Sequence, residues 1–119
     1  MLEKELEAKF RVKIKKAGGL ALKFVSPGKA GVPDRMVLAP PGRIFFVEMK
    51  RPGGKLRPLQ KKVLADLRKL GFYACVIDSE DGIRDFLRML QDPLAVSAEY
   101  QAGYRDGFRD ALQGSDANG

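Results

Sequence analysis

An aspartate directly after a proline, Asp34 in GVPDRMVLAP, and a glutamate two residues before a lysine, Glu48 and Lys50 in RIFFVEMK, are the residues of this sequence best suited to chemistry. The chain has no histidine, which removes His-based triads, imidazole bases and histidine zinc sites. Its one cysteine, Cys75, is too little for a disulfide or a thiolate metal cage within one chain. Carboxylate, lysine and hydroxyl chemistry remain. Two carboxylates brought together repel unless a cation lies between them or one keeps its proton. A divalent cation is the economical answer: Asp34 and Glu48 offer hard oxygens, and a backbone carbonyl and water can complete the roughly octahedral shell of Mg²⁺. Such an ion could polarise a phosphoryl oxygen and help to generate hydroxide, with Lys50 orienting the attacking water or offsetting charge in the transition state. The plainer reading is a Pro-Asp turn and a solvated Glu-x-Lys pair at a strand end.

The elements around these residues decide between the two readings. Glu48 and Lys50 are two apart on a strand and leave the same face. The runs RMVLA (35–39) and RIFFVEM (43–49), joined by Pro-Pro-Gly, form a hairpin candidate. If its loop is Pro40–Pro41–Gly42, with glycine at the position that wants positive φ, Ala39 pairs with Arg43 and Asp34 lies opposite Glu48. A two-residue loop with Ala39 opposite Ile44 sets Asp34 against Met49 and on the other face.

Before the hairpin, Leu2, Leu6, Phe10, Ile14 and Ala17 recur at helical spacing and end at Gly18–Gly19, and LALKFV (20–25) reads as a short strand. The loop SPGKAGVP follows. After the hairpin, the loop RPGGKLR leads to a second helix with Pro58 at its first position, a stripe of Leu59, Val63, Leu67 and Leu70, and Gly71 as its stop. FYACVI (72–77) is a buried strand, and Ser79 can cap a third helix with Ile83, Phe86, Leu87 and Leu90 on its apolar side. Because both hairpin strands are apolar on both faces, helices should cover both sides of the sheet, with Phe45 and Phe46 pointing into opposite cores. The expected fold is α/β in the order αβββαβα. Residues 1–91 form the domain, and 92–119 form an extension in which Tyr100, Tyr104 and Phe108 fit a short helix with a frayed end.

The first 90 residues carry 20 Lys and Arg against 10 Asp and Glu, a surplus of +10, whereas residues 91–119 carry 2 against 5. Such a surplus points to a polyanionic partner, with a basic solubilising surface as the alternative. MLEKELEAKF contains no apolar run of signal-peptide or membrane-span type, so the expectation is a cytoplasmic protein with no membrane partner.

Taken in order, EKELEAKF, KFVSPGKAGVPDR, FFVEMKRPGG and RPLQ resemble the VRR-Nuc domain (virus-type replication and repair nuclease) of the PD-(D/E)XK superfamily over residues 3–90 or so. The resemblance implies a restriction-endonuclease-like mixed sheet flanked by helices. It also implies an Mg²⁺- or Mn²⁺-dependent DNA endonuclease acting on Holliday junctions, flaps or other branched DNA, phage- or bacteria-encoded and tied to DNA repair. No small-molecule cofactor is expected. It implies that Asp34 and Glu48 ligate the metal with the Met49 carbonyl close by, that Lys50 is the catalytic lysine, and that Gln60 sits beside the site. A glutamate of the first helix completes the set; Glu7 is preferred, with Glu3 one turn away as the alternative. A homodimer would supply two symmetric active sites. Lys23, Lys29 and Arg35 before the site, and Arg51, Lys55, Arg57, Lys61 and Lys62 after it, are candidate phosphate contacts, whose number sets how steeply salt weakens binding. Ser26, Gly28 and Gly31 are read as shaping the loop. Rival readings are a non-catalytic DNA-binding accessory protein on the same fold, and a restriction-type nuclease.

Overall fold

In a computed structural model of the chain, which describes residues 1–92, the element order is α1 (Glu3–Lys16), β1 (Leu20–Lys23), β2 (Arg35–Ala39), β3 (Arg43–Met49), α2 (Pro58–Lys69), β4 (Tyr73–Ile77) and α3 (Glu80–Gln91). This is the αβββαβα order that the hydrophobic periods predict. The extension with Tyr100, Tyr104 and Phe108 lies outside the described residues.

The four strands form one sheet in the order β1-β2-β3-β4, antiparallel except for the parallel pair β3–β4 that α2 connects. A parallel pair needs such a crossover, whereas the antiparallel pairs can be joined by loops. The β2–β3 register is the one a three-residue loop requires: Ala39 pairs with Arg43, and Gly42 takes φ +64°.

Alternation along β3 sends Phe45, Val47 and Met49 to one face, where they pack with Leu6, Phe10 and Ile14 of α1 and Ile83, Phe86, Met89 and Leu90 of α3. Phe46 goes to the other face, against Leu64 of α2 and Ala74. The larger core is held by fully buried Leu6, Phe10 and Ile14, each contributing about 1.5–3 kcal/mol relative to exposure. Phe86 tilts or edges onto Phe10 and Phe45, with ring centroids 5.5 and 5.6 Å apart.

Element ends follow their local chemistry. Ser79 Oγ accepts the Gly82 N–H at the start of α3. At the end of α2, Gly71 takes φ +96°, its N–H donates to the Arg68 carbonyl, and the Phe72 N–H donates to Leu67. That paired pattern is a Schellman motif, which only a residue free of Cβ strain enters at no cost. Three details depart from the sequence reading. Leu2 is exposed; the α2 stripe buries Gln60, Val63 and Leu64 while Leu59 and Leu70 face outward; and β1 stops at Lys23 and β4 begins at Tyr73. Among the described residues no helix is long and apolar enough to cross a membrane.

Candidate active site

The site forms where β2 and β3 part. Their pairing runs from Ala39↔Arg43 to Arg35↔Val47, so one further step places Asp34 beside Glu48 and a second places Pro33 beside Met49. At that step side chains take over from the ladder. The Met49 N–H donates to Asp34 Oδ1 at 2.9 Å, and the Asp34 N–H donates to Glu48 Oε2 at 3.2 Å. Each strand end therefore binds the other's carboxylate through a backbone donor.

Pro33 makes this possible. The Lys50 N–H is spent on Ile77 of β4, so the alternating backbone groups of Met49 face the β2 side. A continuing antiparallel ladder would join Met49 to residue 33, but proline has no N–H to give. The Met49 carbonyl is thus left without its ladder donor beside Asp34, and the buried Pro33 ring holds the chain there.

Glu48 is buried, and a second element fixes it: Gln60 Nε2 donates to Glu48 Oε1 at 3.2 Å. The opposite end of the same amide, Gln60 Oε1, accepts the Arg57 N–H at 2.9 Å and closes the first turn of α2. Lys50 lies in the same cleft, with Nζ 3.8 Å from Glu48 Oε1 and its side chain largely buried. The loop carrying Asp34 is seated on α2 through Gly31, which has φ +83° and where a Cβ would fall 2.8 Å from Leu59 Cγ and 3.1 Å from the Leu59 carbonyl oxygen.

Between the two candidate glutamates of α1, the structure places Glu7 at the site. Its carboxylate is near enough to help raise the Asp34 carboxyl, and its Oε1 lies 3.8 Å from Arg35 Nε. Glu3 is exposed, though its charge is felt at Glu48. Among the described residues no three His, Cys, Asp or Glu side chains gather closely enough to hold an ion by themselves. The donor set is therefore two carboxylates and an undersubscribed carbonyl, all hard oxygens, which fits an Mg²⁺-like cation that keeps several waters.

Burial is the main cause that pushes the Asp34 carboxyl up to about 7; the Met49 N–H opposes it, and Glu7 and the Glu48 charge add to it. Burial also raises Glu48, against the lowering effects of Lys50, the Asp34 N–H and Arg57. Carboxyls that resist ionising alone gain from a nearby cation.

Lys23, Lys29, Arg51, Lys55, Arg57, Lys61 and Lys62 are exposed on segments that surround this end of the sheet, with Lys62 3.2 Å from Asp66. Arg35 does not stand with them. Strand alternation turns it to the α1 face, where its side chain is only 13% exposed against Glu7 and Nε is buried without a hydrogen-bond partner. Gly31 shapes the loop as the sequence suggests, with φ +83°, but its close approach to Leu59 and the role of Pro33 were missed; the signal for the latter was a proline at the ladder position facing Met49.

A model of the VRR-NUC domain matches residues 3–81 of the chain. A protein of Acyrthosiphon pisum secondary endosymbiont phage 1, named "Putative nuclease p44", is 48% identical over 79 residues, which make up 66% of this chain and 85% of that protein. A solved VRR-NUC domain structure aligns with a TM-score of 0.66 at 28% identity and covers 74% of this chain and 97% of its own. Asp34, Glu48, Lys50 and Gln60 all fall inside the matched span.

Proposed function

The chain belongs to the VRR-NUC family of nuclease domains, and on that footing we propose that it is a divalent-metal-dependent DNA endonuclease that cuts branched substrates such as four-way junctions and flaps. The observation that carries the reading is the reciprocal clamp: Asp34 and Glu48 each take the other strand's N–H, beside a Met49 carbonyl whose ladder partner is a proline.

Asp34, Glu48 and the Met49 carbonyl would hold Mg²⁺ or Mn²⁺. When bound, that ion would offset charge on the scissile phosphate and make an attacking water more acidic. Lys50, beside Glu48 in the cleft, offsets charge that develops on the phosphate oxygens. Gln60 fixes the orientation of Glu48. Glu7, beside Arg35 and electrostatically coupled to Asp34, supplies a further negative group on the α1 side. The exposed Lys23, Lys29, Arg51, Lys55, Arg57, Lys61 and Lys62 contact phosphates around the cleft. Phosphate contacts position DNA without reading its sequence, so selection by the shape of the substrate follows from this set.

The test incubates labelled linear, flap and four-way-junction DNA with Mg²⁺, Mn²⁺ or EDTA. Cutting is expected only with metal and preferentially on the branched substrates. Asp34→Ala should abolish it, and Lys50→Ala should lower the rate about 10²–10³-fold while binding persists. DNA binding without metal-dependent cutting on any substrate would assign the non-catalytic role instead, and equal cutting of linear DNA would remove the preference for branches.

A further inference from the structure

Glu7 reaches the cleft from α1, and its neighbours on the helix surface are basic. Lys4 stands three residues before it and Arg11 four after, the two spacings that set helical side chains next to each other, and Lys15 continues the row one turn further. All three are exposed, and none forms an ion pair among the described residues. Lys9, on another side of the same helix, is by contrast paired with Glu80.

The helix itself does not ask for this row. Arg11 and Lys15 are like charges four apart, a pairing that costs about 0.2–0.5 kcal/mol. Lys4 lies in the first turn, where the helix dipole disfavours a cation; only Lys15, in the last turn, is favoured by it. From Lys4 to Lys15 the row runs ~16 Å at 1.5 Å per residue, a length that faces about five phosphates of one DNA strand.

Its place in the fold separates it from the cations already assigned. α1 packs on the face of Phe45, Val47 and Met49, whereas α2, which carries Lys61 and Lys62, covers the face of Phe46. The row and the α2 lysines therefore lie on opposite sides of the sheet, roughly 20 Å apart across two layers of ~10 Å. Asp34 and Glu48 stand at the strand ends between them. The phosphate rows that flank a major groove are only about 12 Å apart, too close together to meet both sides at once.

Resting on the endonuclease reading above, we propose that Lys4, Arg11 and Lys15 form a second surface for duplex DNA. One arm of a branched substrate lies along this row on the α1 side, the other arm lies against the loop and α2 cations, and the branch point falls at the carboxylates. A linear duplex engages one side; a junction engages both. Shape is thereby selected without any contact to a base.

The experiment measures binding by fluorescence anisotropy in EDTA, with labelled linear duplex and four-way junction, over a series of salt concentrations. The variant is Lys4→Gln/Arg11→Gln/Lys15→Gln, with its urea midpoint checked against the wild type. For the junction, its affinity should fall about tenfold or more, and the log–log salt slope should become shallower by about 2.7, at 0.9 for each of three phosphate contacts. Linear duplex should bind within about twofold of the wild type. A Lys61→Gln/Lys62→Gln variant should weaken both substrates. Unchanged junction binding by the triple variant would return the row to an ordinary solvated face and overturn the proposal. Equal weakening of linear and branched DNA would overturn it too, by making the row a general phosphate contact. Because these ratios are read without metal, they are decided separately from whether the wild type cuts DNA.

Discussion

Gln60 Nε2 lies 3.2 Å from Glu48 Oε1, and the other oxygen of that carboxylate accepts the Asp34 N–H at the same 3.2 Å. One buried side chain is thus held by a helix on one side and by a strand end on the other. Gln60→Leu keeps the bulk but strands Glu48 Oε1 and the Arg57 N–H. It should destabilise the fold by about 1–3 kcal/mol in urea unfolding and weaken Mg²⁺ binding about 10–100-fold by calorimetry. An unchanged Mg²⁺ affinity would show that Gln60 serves the helix cap alone.

Pro33→Ala tests the free carbonyl. Alanine supplies the N–H that the β2–β3 ladder wants at Met49, so the strands can pair one step further and occupy the oxygen. Stability should change by no more than about 1 kcal/mol, because the added hydrogen bond offsets the lost ring packing. Mg²⁺ affinity should nonetheless fall at least several-fold. Titration of metal into the folded variant reads this directly, and undiminished affinity would remove the Met49 carbonyl from the donor set.

The raised Asp34 carboxyl has a signed consequence for stability without metal. Its folded value is about 7, while the unfolded value is the ordinary one near 4. Between those pH values the folded chain holds a proton that the unfolded chain has released, so raising the pH through this window favours unfolding. The stabilising contribution is complete below about pH 4 and gone above about pH 7. Discounted for partial solvent access, it amounts to on the order of 1 kcal/mol. In EDTA, the Tm of the wild type minus that of Asp34→Asn should therefore fall across this window. Adding Mg²⁺ at pH 8 should restore the loss, by about 2.7 kcal/mol at a hundred times Kd. A flat Tm difference from pH 4 to 8 would contradict the raised value.

Much of this site was legible in the sequence because hairpin geometry is discrete. Pro40–Pro41–Gly42 permits one register with glycine at positive φ, and that register alone sets Asp34 beside Glu48. The α1 stripe and the Gly71 and Ser79 boundaries were readable for the same reason, since each follows from a period or a backbone preference. The rotation of α2 was not. Hydrophobicity picked Leu59 and Leu70 for the core, yet the helix buries Gln60 to meet Glu48 and leaves Leu59 for Gly31. A buried amide answers a partner in another element, which no apolar period encodes. Arg35 failed differently. Counted as one more basic residue, it belongs by strand parity to the α1 face, where Glu7 awaits it. Glu7 and Glu3, one turn apart, were separable only by packing.

Gly31 carries the last prediction, because it joins the loop of Asp34 to the helix of Gln60. With φ +83°, any L side chain there is strained, at about 1–3 kcal/mol. A Cβ would also fall 2.8 Å from Leu59 Cγ and 3.1 Å from the Leu59 carbonyl oxygen. Gly31→Ala should therefore lower stability by about 2–3 kcal/mol and push the loop off α2, separating Asp34 from the Gln60–Glu48 pair. Leu59→Ala in the same chain relieves the Cγ clash but neither the carbonyl contact nor the φ strain, so it should restore less than half of the loss. Urea unfolding of the single and double variants measures both terms. Full rescue by Leu59→Ala would mean that the leucine side chain, and not the backbone approach, is what requires glycine at this position.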